Sequence, residues 1–318
     1  MAISFVLLAV GLVLVVKGAD FLVNGASSLA KRMAVPEIVI GLTIVAFGTS
    51  APELVVNVFS SISGKSELVL GNIIGSNVFN TLFILGIAGL IYPLEVQQNS
   101  VRKEIPFSLL AAVILFILAN DYLIFKGEVN RVTRIDGLIL LVLFGGFIYY
   151  TFGLSKIKPT YSHEIKLYSL FKTWIFIIIG FAGLFLGGKL MVDNAVSIAR
   201  KLQVSEKLIG LTIVAVGTSL PELATSAVAA FKKRYDLAVG NVVGSNIFNI
   251  LFILGVSAQI SPVHYSTAFN LDLYIFALGT LLLFAAMFTG KSRKLDRWEA
   301  LILLVTYILY TIYIIVRK

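Results

Sequence analysis

The sequence contains no cysteine, which excludes disulfides and thiolate metal sites and leaves no mark of a redox compartment. Charge is scarce as well. Only 14% of the 318 residues are Asp, Glu, Lys or Arg, where a soluble domain carries about a quarter. Histidine occurs twice, at His163 and His264, each alone in a polar stretch and each read as a surface residue. No HExxH pattern is present, so a zinc-dependent peptidase helix is absent from the sequence.

What is abundant is apolar: hydrophobic residues make up 58% of the chain, and the mean hydropathy is +0.95. Apolar stretches recur near the length of about 20 residues that crosses a bilayer. They fall at 2–27, 37–62, 68–92, 105–121, 135–153, 171–199, 207–231, 236–262, 270–289 and 298–315. This pattern predicts an all-α integral membrane protein of ten transmembrane helices. The net charge of +9 comes largely from Lys and Arg between these stretches. Orientation bias and lipid headgroups account for it, and it is no nucleic-acid signal. The opening run MAISFVLLAVGLVLVV has no positive residue before it and Lys17 after it, so it reads as a retained span.

The chain repeats itself. VPEIVIGLTIVAFGTSAPEL at 35–54 lies over VSEKLIGLTIVAVGTSLPEL at 204–223, and LVLGNIIGSNVFNTLFILG at 68–86 over LAVGNVVGSNIFNILFILG at 237–255. One offset, 204 − 35 = 237 − 68 = 169, serves both without a gap, and it also lays GADFLVNGA (18–26) on GGKLMVDNA (187–195). The expected organisation is a five-helix repeat over 1–153, a cytoplasmic linker over 154–170 and a second five-helix repeat over 171–318. Five is odd, so the second copy enters the membrane from the opposite side. Such inverted repeats carry the substrate site of many secondary transporters at their interface, near the midplane. Lys and Arg favour the loops 1–2, 3–4, 5–6, 7–8 and 9–10, which places those loops in the cytoplasm and both termini outside the cell.

The duplicated core motif is a broken helix beside an acid. In GTSAPE, Pro52 has no N–H for the carbonyl of Gly48, and its ring displaces that carbonyl. Carbonyls near Ala46 to Thr49 are expected to leave the ladder, which lipid tolerates only inside protein or beside a cavity. Thr49, Ser50 and Glu53 are spaced to share one helix face, as are Thr218, Ser219 and Glu222 in the second copy. Carbonyl, hydroxyl and carboxylate oxygens are hard ligands suited to Ca²⁺ or Na⁺. Neither motif holds a nearby Lys or Arg, so Glu53 and Glu222 need compensating positive charge in mid-membrane. A divalent ion, two monovalent ions or a proton would supply it.

In the next span Gly71 and Gly75 are spaced for close helix approach, and Ser76 and Asn80 form a polar stripe. Gly240, Gly244, Ser245 and Asn249 repeat the pattern. Asn72, Asn77 and their partners fit helix packing as well as ion binding. Lys17, Asp20, Lys189 and Asp193 sit late in spans one and six, at spacings that suit local ion pairs. The acids are glutamates flanked by hydroxyls, not the paired aspartates that an intramembrane protease would require, so no enzyme is expected.

On these residues the sequence resembles the calcium/cation antiporter superfamily, specifically its prokaryotic sodium/calcium exchangers. GTSAPE with GNIIGSNVFN, and GTSLPE with GNVVGSNIFN, look like that family's paired repeats, and the ten-span inverted layout extends the likeness over the whole chain. The resemblance implies Ca²⁺ held by Glu53, Glu222 and the backbone oxygens of Thr49 and Thr218. It implies Na⁺ at the same groups with Ala46, Ser50, Ser76, Ala215, Ser219 and Ser245, and Asn80 and Asn249 bordering the centre. Spans one and six would slide together across the rest, giving alternating access in a cell membrane, with a monomer as the functional unit and no cofactor. Some relatives, among them potassium-dependent ones, carry Asp where this chain has Asn249, which argues against potassium dependence here. The proton-coupled branch also uses two glutamates, so H⁺ is the alternative driving ion, although the wording GTSxPE favours sodium. The linker has no room for the regulatory domain of animal exchangers.

Overall fold

The computed structural model describes residues 2–95, 103–120, 129–154, 165–202, 215–289 and 294–316. Its helices are α1 (Ala2–Met33), α2 (Glu37–Thr49), α3 (Ala51–Ile62), α4 (Ser66–Ile91), α5 (Ile105–Ala119), α6 (Arg134–Leu154) and α7 (Leu170–Lys201). Then follow α8 (Ala215–Thr218), α9 (Leu220–Phe231), α10 (Tyr235–Ile260), α11 (Phe269–Ala286) and α12 (Arg297–Val316). Seven described helices are long and apolar enough to cross a bilayer, and an eighth span forms if α2 and α3, bent by 47°, count as one. Helices α5 and α9 are apolar but shorter.

Four strands of two residues depart from the purely helical expectation. β1 (Leu94–Glu95) pairs antiparallel with β4 (Lys294–Leu295), and β2 (Arg131–Val132) with β3 (Val263–His264). They clip together loops whose backbone groups would otherwise lack partners. His264 is exposed, as expected, and His163 lies outside the described residues.

Helices α1 and α7 run further than the apolar pattern predicts, to Met33 and Lys201. Polar residues in the extension of α1 find partners on and before α7: Ser28 Oγ meets Thr173 Oγ1 at 2.9 Å, and Lys31 Nζ donates to the Ile165 carbonyl at 2.8 Å. Basic residues in the last turns, Lys31 and Arg32 or Arg200 and Lys201, also suit the negative end of each helix dipole.

α1 and α7 pack antiparallel along their length. A Cβ on Gly18 would lie 2.7 Å from the Leu184 nitrogen and 2.8 Å from the Gly180 carbonyl, so only glycine allows this approach. The pair shares a small core with parts of α2, α9 and α10 through Val15, Leu22, Ile177, Leu184 and Leu237. A second, larger core joins α4, α5, α6, α10, α11 and α12. Helices α2, α9 and α10 contribute to both cores.

The ion-pair expectation splits. Lys189 and Asp193 pair at 3.5 Å within α7, but Asp20 reaches across to Lys232 at 2.6 Å, not along its helix to Lys17. Glu37 is buried between Ser27 Oγ, which donates to it, and Arg234, 3.9 Å away. The α3–α4 turn uses Gly64 at φ 67°, and the α9–α10 turn holds Lys233 at φ 60°.

Candidate functional site

Both broken helices stop at a serine. Ser50 sits at φ −83°, ψ 7° between α2 and α3, and Ser219 at φ −89°, ψ 8° between α8 and α9. Each proline then falls in the first turn of the new helix, where a missing N–H costs nothing. The same first turn carries the acid, Glu53 or Glu222, at the positive end of a helix dipole. The kink therefore aims the start of a helix and a carboxylate at one point.

The break alters the expected local geometry. Because the ladder ends at Thr49, its hydroxyl and that of Ser50 do not line up behind Glu53. They cross to the other copy. Ser50 Oγ donates to Glu222 Oε1 at 2.9 Å, and Ser219 Oγ donates to Glu53 Oε1 at 3.0 Å. Ser76 Oγ lies 3.5 Å from Glu53 Oε1, and Ser245 Oγ lies 3.4 Å from Glu222 Oε1. Thr49 Oγ1 reaches Asn241 Oδ1 at 3.0 Å, and Thr218 Oγ1 reaches Asn72 Oδ1 at 3.3 Å. Each contact is its partner's image at the 169-residue offset.

The carbonyl of Ala46, expected to be free, is engaged: it accepts the Ser50 N–H at 3.0 Å and lies 3.4 Å from Thr49 Oγ1. Ala46 itself is buried, and Ala215 opens α8 with its side chain outside the described residues. The close approach expected of Gly71, Gly75, Gly240 and Gly244 is seen at Gly240 and Gly244. A Cβ on Gly244 would lie 2.7 Å from Ala46 Cβ, whereas one on Gly75 would meet nothing within 4 Å among the described residues. The segment that would face Gly75 at the same offset, around 211–214, lies outside them.

Further along α4 and α10, two pairs of amides join the copies. Asn80 Nδ2 donates to Asn246 Oδ1 at 3.2 Å, and Asn249 Nδ2 donates to Asn77 Oδ1 at 2.9 Å. Asn80 and Asn249 sit in π-helical turns, Phe79–Ile84 and Phe248–Ile253, which widen the helix there. The sequence gives no sign of these turns. Asn77 and Asn246, which pattern reading could not separate from packing residues, hold the other two amides in orientation.

Four oxygens are left over. Glu53 Oε2, Glu222 Oε2, Asn80 Oδ1 and Asn249 Oδ1 are buried and accept no hydrogen bond, on residues each 1% exposed. Glu53 feels the charge of Glu222, and among the described residues no Lys, Arg or His forms a salt bridge with either. A buried acceptor without a donor costs about 1–3 kcal/mol, and a buried charge costs more. No group of three or more His, Cys, Asp and Glu occurs among the described residues. The site is thus two carboxylates completed by neutral oxygens, a set for a hard cation and not for zinc or copper.

Comparisons with known proteins show the family and the fold. The family model described as sodium/calcium exchanger protein matches residues 3–153 and 172–316. The chain is 30% identical over 345 residues to the sodium/calcium exchanger MaX1 of Methanosarcina acetivorans, covering 98% of each. It is 36% identical over 301 residues to the inner membrane protein YrbG of Escherichia coli, covering 89% of each. The solved sodium-calcium exchanger NCX_Mj, soaked without Na⁺ and Ca²⁺, superposes with a TM-score of 0.85 at 32% identity, over 98% of this chain and 99% of that one. Fold, site and likeness together define an integral, multi-pass membrane antiporter for cations. The chain belongs to the sodium/calcium exchanger protein family.

Proposed function

We propose that this chain exchanges Na⁺ for Ca²⁺ by alternating access at a site built on Glu53 and Glu222. The observation that carries the reading is the set of four unpartnered buried oxygens, two of them on carboxylates that form no salt bridge among the described residues. Such a site is stabilised by a cation load and opposed to being empty. Ca²⁺ would take the two carboxylates with the backbone oxygens of Thr49 and Thr218. Na⁺ would use the same groups together with Ser50, Ser76, Ser219, Ser245, Ala46 and Ala215, and Asn80 and Asn249 would border the centre. Because both ions need the same oxygens, one load leaves before the other binds.

The layout in this reading is ten spans in two inverted five-helix repeats, 1–153 and 171–318, joined by a cytoplasmic linker at 154–170. The antiparallel packing of α1 on α7, whose sequences correspond at the 169-residue offset, supports the inversion. Their close packing on each other supports movement of the two as one body. Both termini lie outside a cell membrane, and a monomer suffices.

The experiment is ⁴⁵Ca²⁺ uptake into sealed vesicles driven by an outward Na⁺ gradient. Uptake that persists with a protonophore supports sodium coupling. Uptake that follows only a pH gradient would replace this reading by Ca²⁺/H⁺ exchange, which two glutamates also permit.

A further inference from the structure

A line of buried oxygens leads away from Glu53 along α3. Residues 53, 57 and 61 are four apart and stack on one helix face, about 6 Å per step. Glu53 Oε2, Asn57 Oδ1 and Ser61 Oγ are all buried and without a hydrogen-bond partner. The last part of α10 packs against α3 and carries Ser257, fully buried, whose Oγ is also without one. At the end of α3, Ser61 lines a crevice with Lys65, Ser66 and Ser261 that is too narrow to hold a water molecule. Beside it opens a surface depression of about 510 Å³ along residues 64–68 and His264.

The image of this row, on α9 and the end of α4, is different. At the 169-residue offset, Asn57 becomes Ser226, whose hydroxyl accepts Asn241 Nδ2 at 2.9 Å. Ser61 becomes Ala230 and Ser257 becomes Ala88. Ser66 and Ser261 become Tyr235 and Tyr92, whose rings stack with centroids 5.6 Å apart. The turn SGK (63–65) becomes KKR (232–234), with Lys233 Nζ 5.1 Å from the Tyr92 centroid and Lys232 tied to Asp20. Along α3 and the end of α10 runs a row of partnerless oxygens that ends beside the surface depression; on α9, its image, only Thr225 Oγ1 is partnerless beyond Glu222, and stacked tyrosines cap the end.

We propose that Asn57, Ser61 and Ser257 form a transit site for the transported cations, between the paired glutamates and the membrane face at which α3 ends. The proposal rests on the Glu53–Glu222 reading above. Packing alone does not require these residues, since Ala and Ser do the same work in the other copy. Three partnerless buried oxygens each cost about 1–3 kcal/mol. A cation moving toward the acids needs replacements for its lost water at every step, weak enough to let it leave, and neutral oxygens meet both conditions.

The absence of cysteine makes a direct test possible. Full-length Ser61→Cys and Ala230→Cys, each in liposomes, are exposed to a small cationic methanethiosulfonate. Ser61→Cys is expected to react from one face only, about fivefold more slowly in saturating Ca²⁺ or Na⁺, as for a site where ion and reagent compete. Ala230→Cys is expected not to react. Equal reaction at both positions, no reaction at Ser61→Cys, or a rate indifferent to both ions overturns the proposal. Exchanging the half-paths with Asn57→Ser, Ser61→Ala and Ser257→Ala should slow Ca²⁺ uptake about tenfold while Ca²⁺ binding at equilibrium is retained; unchanged uptake also overturns it. Wild-type Ca²⁺ binding by Glu53→Gln in titration calorimetry would overturn the paired-glutamate reading instead, so the two failures are distinguishable.

Discussion

Ser50 donates its hydroxyl to Glu222, a residue 172 positions away, at 2.9 Å, and not to Glu53, its neighbour in the motif. Ser219 returns the contact to Glu53 at 3.0 Å. Each carboxylate is thus oriented by the other copy of the motif, and neither half of the chain holds a complete site. Removing one serine should loosen one acid and leave the other in place. Ser50→Ala and Ser219→Ala are each expected to raise the Ca²⁺ KM of uptake about tenfold, the size of one charge-assisted hydrogen bond. Unchanged KM in both would show that the crossed contacts do not position the acids.

The acids themselves should be far less replaceable. Glu53→Gln and Glu222→Gln keep the shape and the hydroxyl contacts but remove the charge that demands a cation. Each is expected to abolish Ca²⁺ transport while folding normally, with the loss read in ⁴⁵Ca²⁺ uptake and the fold in thermal unfolding.

In the proposed site, Asn249 is the position at which ion preference is expected to be set. Its amide nitrogen donates to Asn77 Oδ1 at 2.9 Å, and its oxygen is unpartnered. Asn249→Asp adds a third carboxylate and places an acceptor against the Asn77 oxygen, so the Asn77 amide must turn. A shift in relative Ca²⁺ and Na⁺ affinity without unfolding is expected, measured by competition in calorimetric titrations.

The seam between α1 and α7 tolerates no side chain at Gly18, where a Cβ would stand 2.7 Å from the Leu184 backbone. Gly18→Val is expected to cost about 1–3 kcal/mol by forcing the helices apart, and to impair transport if, as proposed, the pair moves as one body. Gly145→Ala, at a position where a Cβ meets nothing within 4 Å among the described residues, serves as the control. Equal melting temperatures for the two variants would contradict the tight seam.

Much of this was legible in the sequence. The offset of 169 residues, the proline break and the isolated acids announce a paired site, because duplication and the cost of a buried charge leave a mark in residue identity. The crossing of Ser50 to Glu222 does not, since it depends on how two kinked helices face each other. The π-helical turns at Asn80 and Asn249 are equally silent, as one extra residue per turn leaves no compositional trace. Asp20 suggests a partner along its own helix and finds Lys232 instead, because a long lysine from a distant turn reaches further than helical spacing foretells. The difference between Asn57 and Ser226 is visible in the repeat, but its meaning needed the knowledge of which oxygens are left without donors.

The most direct test of the central claim is anomalous scattering from a crystal of this protein grown in Ca²⁺. The account predicts a peak between Glu53 and Glu222, within bonding distance of both carboxylates, that disappears in Glu53→Gln. A peak elsewhere, or glutamate side chains facing lipid with no ion between them, would contradict it.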